Sequence, residues 1–321
     1  MTALASLMLE RPVVLDGGLG TLLLARRPTV EDFGGSRHEG CLEWLNRRRP
    51  RWVQEIHAAY LDAGADGVET NTFGANAIVL GEYGLEAEVE ALNFEAATLA
   101  REVARSYDRR RYVIGSVGPG TKLVTLGQVA LETLEASYQA QMRGLLRGGV
   151  DALLLETCQD LGQIKAAIRA AKAAMAETKR ACPLWVQVTV ETTGTLLLGT
   201  EVGAVLTALE PLGIDLLGLN CGTGPDEMQA PLATLAEAAP MPISCLPNAG
   251  LPERRGNELF YPLDPEAFAE KVAHLAKTHH VNVVGGCCGT TPEHIRALVD
   301  RMSGLALTHR VPRMDRSISS L

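Results

Sequence analysis

The feature that most constrains this chain is its rhythm. Eight short apolar runs recur, at residues 13–16, 67–73, 112–117, 152–156, 184–190, 216–221, 243–246 and 281–286. Between them lie segments whose apolar positions repeat with helical period, at 51–63, 85–106, 131–148, 161–175, 226–239 and 265–277. Strand, helix and strand in repeated succession make parallel strands buried on both faces. Eight such units suit a closed ring better than an open doubly wound sheet, so the chain is expected to be α/β, a (β/α)8 TIM barrel over residues 1–305. Its 321 residues accommodate one such domain without strain. Past residue 305 the periodicity fades, and 306–321, with basic residues, proline and serine, reads as a C-terminal tail or interdomain linker. Residues 3–9 are apolar but short and lack a basic start, so they read as a helical turn before Pro12 rather than as a signal peptide.

A barrel of this kind carries its chemistry where its strands end. There the sequence turns polar and rich in glycine: Asp16-Gly17-Gly18, Glu69-Thr70-Asn71-Thr72, Ser116-Val117-Gly118, Glu156-Thr157, Glu191-Thr192-Thr193-Gly194, Asn220-Cys221-Gly222, Pro247-Asn248-Ala249-Gly250 and Gly286-Cys287-Cys288-Gly289. Cys221 closes the sixth run and Cys287 and Cys288 the eighth, so ring closure would bring three thiols to one rim despite their distance in sequence. Neighbouring side chains on a regular strand point to opposite faces, but Gly285, Gly286 and Gly289 let the strand end break so that both thiols converge. Three sulfurs with a fourth position open is the pattern of a catalytic zinc site, since structural sites fill all four. A free cysteine is ordinarily a small buried apolar group, and Cys41, Cys158, Cys182 and Cys245 are read that way. Gly-Gly-Cys-Cys-Gly offers too little packing for that account, and a disulfide between neighbours demands a strained ring.

Zinc on three thiolates has a net charge of −1, and a fourth thiolate makes it −2, so an incoming thiol is deprotonated while electron density stays on its sulfur. A centre built to activate water more often uses histidine and carboxylate ligands. Alkylation of sulfur is therefore the favoured reaction. Asp16 and Glu156 end the first and fourth runs, where either could accept hydrogen bonds from a substrate ammonium; a helix cap and a loop ion pair are the competing readings. The backbone amides of Gly17, Gly18 and Gly20 could cradle a carboxylate. Asn248 could offer its amide oxygen to the metal when substrate is absent, or simply form a turn.

Other chemistries fit poorly. Thirty lysines and arginines against 38 acids leave a net charge of −8, which repels nucleic acid. No run approaches the roughly 18 apolar residues of a membrane span, and a cytoplasmic location is expected. Seven cysteines, an odd and scattered set, do not make a secreted disulfide framework. Gly18 to Leu23 has leucine where a dinucleotide fingerprint needs its third glycine, and Pro119 removes a donor from the P-loop-like stretch ending at Lys122. The histidines at 38, 57, 274, 279, 280, 294 and 309 show no ligand spacing and read as surface or helix-end residues. A cysteine-nucleophile hydrolase would need a histidine base near Cys221 or Cys288, and no strand end offers one.

These motifs together resemble the homocysteine S-methyltransferase family. The resemblance rests on Leu15-Asp16-Gly17-Gly18-Leu19-Gly20-Thr21, Ala63-Gly64-Ala65-Asp66, Glu69-Thr70-Asn71-Thr72-Phe73, Gly218-Leu219-Asn220-Cys221, Pro247-Asn248-Ala249-Gly250-Leu251-Pro252 and Gly285-Gly286-Cys287-Cys288-Gly289-Thr290-Thr291-Pro292, and it runs from residue 13 to about 303. It implies a zinc (β/α)8 barrel with Cys221, Cys287 and Cys288 as ligands. Asp16 and Glu156 would then bind homocysteine, and Asn248 would fill the vacant zinc position. Gly289 after the cysteine pair and the loop from Pro247 are similar to the N-terminal module of cobalamin-dependent methionine synthase, in which methylcobalamin on a separate domain donates the methyl group and a folate-binding domain recharges it. Relatives using S-methylmethionine typically have arginine after the pair. Leu196-Leu197-Leu198 departs from the family, which is usually more polar there. A freestanding enzyme using S-methylmethionine or betaine, and a non-catalytic module that binds zinc and homocysteine, are the alternatives.

Overall fold

The computed structural model describes residues 2–256, 258–307 and 310–311. In chain order its strands are β1 (Val13–Val14), β2 (Gly67–Glu69), β3 (Tyr112–Val117), β4 (Ala152–Cys158), β5 (Leu184–Val188), β6 (Leu216–Asn220), β7 (Ile243–Leu246), β8 (Glu253–Arg255), β9 (Glu258–Phe260) and β10 (Val283–Val284). The helices are α1 (Ala3–Glu10), α2 (Leu19–Ala25), α3 (Leu45–Arg48), α4 (Pro50–Asp62), α5 (Ala77–Glu82), α6 (Val89–Arg105), α7 (Leu131–Gly148), α8 (Leu161–Thr178), α9 (Val202–Leu209), α10 (Gln229–Ala238), α11 (Pro265–His279) and α12 (Pro292–Met302). Local chemistry sets the helix ends. Asp160 caps α8 by accepting from the amides of Gly162 and Gln163, and Asp264 caps α11 from outside its first-turn proline. The chain leaves α7 through Gly149 at φ 87°, the left-handed step that glycine takes without strain.

Eight strands form one parallel sheet in the order β1-β10-β7-β6-β5-β4-β3-β2, wrapped by helices into a nearly closed barrel, as the alternation predicts. Strands β8 and β9 form a separate antiparallel hairpin. Five expected strands are shorter than their apolar runs: 184–190 and 216–221 lose one or two residues, and 13–16, 67–73 and 281–286 keep only two or three ladder residues each. The glycines and polar residues at those run ends leave the ladder to build the mouth. The turn expected at 3–9 is a full helix, α1. Helix α9, almost wholly apolar, and the hairpin escape the periodicity because neither has two contrasting faces.

The ring closes between β1 and β2 through one backbone bond and two aspartate side chains rather than a ladder. The Asp66 amide donates to Val14 O at 2.6 Å, and Asp66 Oδ2 accepts from the Val14 amide at 3.0 Å. Arg11 (2.7 and 2.8 Å) and Arg109 hold Asp66 in place. One turn nearer the mouth, the Glu69 amide donates to both oxygens of Asp16, at 3.1 and 3.0 Å.

Alternation along the strands grades the interior from oil to polar. Val13, Tyr112, Ile114, Ala152, Leu154, Trp185, Leu216 and Val283 pack inside the ring against Leu4 and Met8 of α1, which plugs the base. Two residues further along the same strands stand Ser116, Glu156, Gln187 and Gly218. At Gly218 any Cβ would collide with Ser244, so the wall there cannot carry a side chain. The outward set, including Val113, Leu153, Val186 and Leu217, packs beneath the helices.

Of the expected tail, residues 308–309 and 312–321 lie outside the described residues; Arg310 docks on the base, donating to Met241 O at 2.6 Å. His57 corrects the surface reading given to the histidines. It is fully buried on α4 with neither ring nitrogen bonded, and burial lowers its pKa to about 4. The unfolded chain binds a proton at this residue near pH 6.5 and the folded chain does not, so stability falls as pH drops from 6.5 towards 4. The loss is on the order of 3 kcal/mol. Urea midpoints at pH 7.5 and pH 5 should differ less in His57→Leu than in the wild type.

Candidate active site

The three cysteines meet at the mouth, their sulfurs all within 4.8 Å of one another, with Cys221 and Cys288 3.9 Å apart. A tetrahedral ion with bonds of roughly 2.3 Å to sulfur would set its ligands about 3.8 Å apart, so this set could hold one with little movement. Backbone geometry produces the convergence. Cys221 adopts a left-handed φ of 57°, rare for a residue with a side chain, and its amide donates to Leu246 O at 3.1 Å. Past β10 the chain turns: Cys287 donates to Pro247 O at 2.9 Å and Cys288 to Asn248 Oδ1 at 3.0 Å. Thr290 locks the turn by donating its hydroxyl to Cys287 O at 2.7 Å. The thiols are unequal. Hydrogen bonds from Cys221 and Cys287 lower Cys288 to about 3, whereas Cys287 is pushed well up by its bonds to the other two. The cluster thus already stabilises one thiolate.

Beside the sulfurs is a cavity of about 250 Å³. Glu156 and Glu69 line it, with Thr70, Ser116, Thr157, Asn220 and the Gly17–Thr21 segment. Glu156 faces inward by the alternation of β4, and a register shift between Leu155 and Cys158, with Thr157 at φ 55°, breaks the ladder around it. Its carboxylate accepts from the Ser116 hydroxyl and from Asn220 Nδ2 at 3.2 Å. Burial is the main cause raising its pKa to about 7; the Ser116 and Asn220 bonds oppose that rise and the Cys288 charge adds to it. Neither competing reading of the two acids holds: Glu156 is buried without an ion pair, and Asp16 caps no helix but holds the Glu69 amide. Asp16 is likewise raised, chiefly by burial.

Of the three amides read as a carboxylate cradle, Gly18 is committed to Thr290 Oγ1 at 3.0 Å. Gly17 packs so closely on Thr290 that no side chain fits. Asn248 is buried, 2% exposed, its oxygen turned to the Cys288 amide, close beside the thiols. Four further residues carry the site and have no role assigned from sequence: Glu69, Ser116, Asn220 and Tyr261. Glu69 and Ser116 are visible as polar strand ends. Tyr261 gives no signal, because only the fold carries its ring over Gly289, where any Cβ would collide with it, and brings its hydroxyl near enough to the Cys288 thiol to help lower its pKa.

The sequence profile of the homocysteine S-methyltransferase family matches residues 13–302. The chain belongs to the homocysteine S-methyltransferase family. Among curated relatives, methionine synthase of Mycobacterium tuberculosis (strain ATCC 25618 / H37Rv) is 46% identical over 323 residues, covering 100% of this chain and 27% of the relative. Methionine synthase of Mycobacterium leprae (strain TN) is 48% identical over 298 residues, covering 92% and 24%. The chain therefore spans about a quarter of the length of these relatives. The crystal structure of the metallated homocysteine methyltransferase MmuM from Escherichia coli superposes with a TM-score of 0.72 at 24% identity, covering 91% of this chain and 96% of that one, a likeness of fold. The family match takes in every strand of the barrel and all three clustered cysteines.

Proposed function

We propose that this barrel holds zinc through Cys221, Cys287 and Cys288 and methylates the sulfur of homocysteine, giving methionine. The observation that carries the reading is the convergence of three sulfurs, spaced for a tetrahedral ion, on a cavity walled by buried carboxylates. Zinc on three thiolates supplies a centre at which an incoming thiol is deprotonated yet stays nucleophilic. The chain's own residues do the positioning. Glu156 and Asp16 hold the ammonium, the Gly17 segment receives the carboxylate end, and Asn248 stands beside the open ligand position.

The favoured methyl donor is methylcobalamin on another domain, recharged by a folate-binding domain. Exposed Phe73, Leu126, Leu197, Leu198 and Leu251 stand in loops that follow barrel strands, with Phe260 on the hairpin that follows β7, and an apolar rim around a polar opening suits a docking protein surface. Two of the three leucines that depart from the family belong to that rim, while Leu196 is buried. The Tyr261 ring over Gly289 leaves no room for the arginine of relatives that use S-methylmethionine. On this reading residues 1–305 are the homocysteine-binding domain and 306–321 begin a linker, in a cytoplasmic protein; no helix among the described residues is long and apolar enough to cross a membrane.

The test is methionine formation by the zinc-loaded protein with free methylcobalamin, S-methylmethionine or betaine. Turnover with methylcobalamin alone is expected. Turnover only with S-methylmethionine or betaine would replace the donor, and stoichiometric binding of homocysteine without turnover on any donor would mark a non-catalytic module.

A further inference from the structure

We infer that Glu69 is a substrate-binding residue that selects for the amino group of the thiol substrate, sharing one ammonium with Glu156 on the cavity wall while Asp16 holds the Glu69 backbone from behind. The inference rests on the proposed homocysteine reading and deepens it.

Three observations carry it. The Glu69 side chain lines the cavity, yet its Oε1 is buried with no hydrogen-bond partner. Glu156 is satisfied by Ser116 and Asn220, and Asp16 by the Glu69 amide. Glu43, the third acid on the wall beside Glu69 and Glu156, accepts from the Gly74 amide at 2.7 Å. Glu69 is thus the wall carboxylate with an oxygen left unserved, and a buried unpaired oxygen is costly unless a ligand or a proton serves it. Second, no lysine, arginine or histidine is among the described residues lining the cavity. The cation that the acids lack must come from the ligand. Third, Asp16 grips the Glu69 amide with both carboxylate oxygens, so the backbone that presents Glu69 is fixed before substrate arrives. Burial, then the charges of Glu156 and Asp16, push the Glu69 pKa well up, as expected where acids crowd without a counter-ion.

The experiment compares homocysteine with 4-mercaptobutanoate, which has the same thiol and carboxylate and lacks the amino group, by calorimetric titration of zinc-loaded wild type and Glu69→Gln. Glu69→Gln should weaken homocysteine binding about tenfold or more and leave 4-mercaptobutanoate within about twofold. In turnover it should raise KM for homocysteine and leave kcat within a few-fold. The melting temperature should hold or rise, because a crowded charge is removed, whereas a purely structural residue would lower it. Equal weakening of both ligands, or no change for homocysteine, overturns the inference. If Glu69→Gln does not fold, Glu69→Asp serves: a shift confined to homocysteine supports the role, and no shift removes it. Failure of the wild type to bind either thiol, or to prefer homocysteine, would overturn the homocysteine reading itself, an outcome distinct from loss of the Glu69 role alone.

Discussion

Replacing Cys288 with alanine is expected to empty the barrel mouth of metal. Zinc retained after dialysis should fall from about one ion per chain to less than about a tenth, and methyl transfer by about a thousandfold or more, because removing one of three thiolates takes away several kcal/mol of binding. Cys288 is the informative member. It lies 3.9 Å from Cys221, is the thiol most readily ionised, and is anchored by Asn248 and Tyr261. Circular dichroism should show an intact barrel, since the side chain sits in a turn above the core. Elemental analysis is the deciding measurement: full zinc retention by Cys288→Ala would rule out the proposed ligand set. A chelator applied to the wild type should reproduce the loss of activity, and added zinc should reverse it.

The second large effect concerns Glu156. Burial raises its pKa to about 7, and only the ionised form pairs with an ammonium. As pH falls through 7 the acid becomes neutral, so KM for homocysteine should climb between pH 8 and pH 6 and level off above pH 8. Glu156→Gln keeps the shape and one acceptor oxygen but removes the charge, and should raise KM by about a hundredfold, the cost of breaking a buried charged hydrogen bond. It should also flatten the pH dependence of KM over that interval. A variant that keeps the wild-type KM and its pH profile would show that the ammonium binds elsewhere.

Much of this architecture is legible in the residues alone. Parallel topology follows from alternation, and once the ring is assumed, Cys221 and Cys288, 67 residues apart, must share a rim. What stays hidden depends on backbone choices that composition does not report. The left-handed turn at Cys221 decides where a thiol points, the left-handed Thr157 breaks the strand beside Glu156, and neither is carried by glycine or proline, the residues that announce such turns. Gly18 shows the converse. Its glycine-rich context suggests an open amide, but Thr290, remote in sequence, already occupies it. His57 misleads because a histidine on an amphipathic helix looks the same from sequence whether it faces solvent or core.

The joint between the first and second strands has a further consequence. It is a clasp made by two aspartates, and the upper one also holds the backbone of Glu69, which lines the pocket, so scaffold and pocket share a fastener. Whatever draws the negative charge of Asp16 away from the Glu69 amide slackens the ring there, and whatever settles the acids beside it tightens the ring. The proton on that amide is the place to look for occupancy: its exchange with solvent is expected to slow when the mouth is filled.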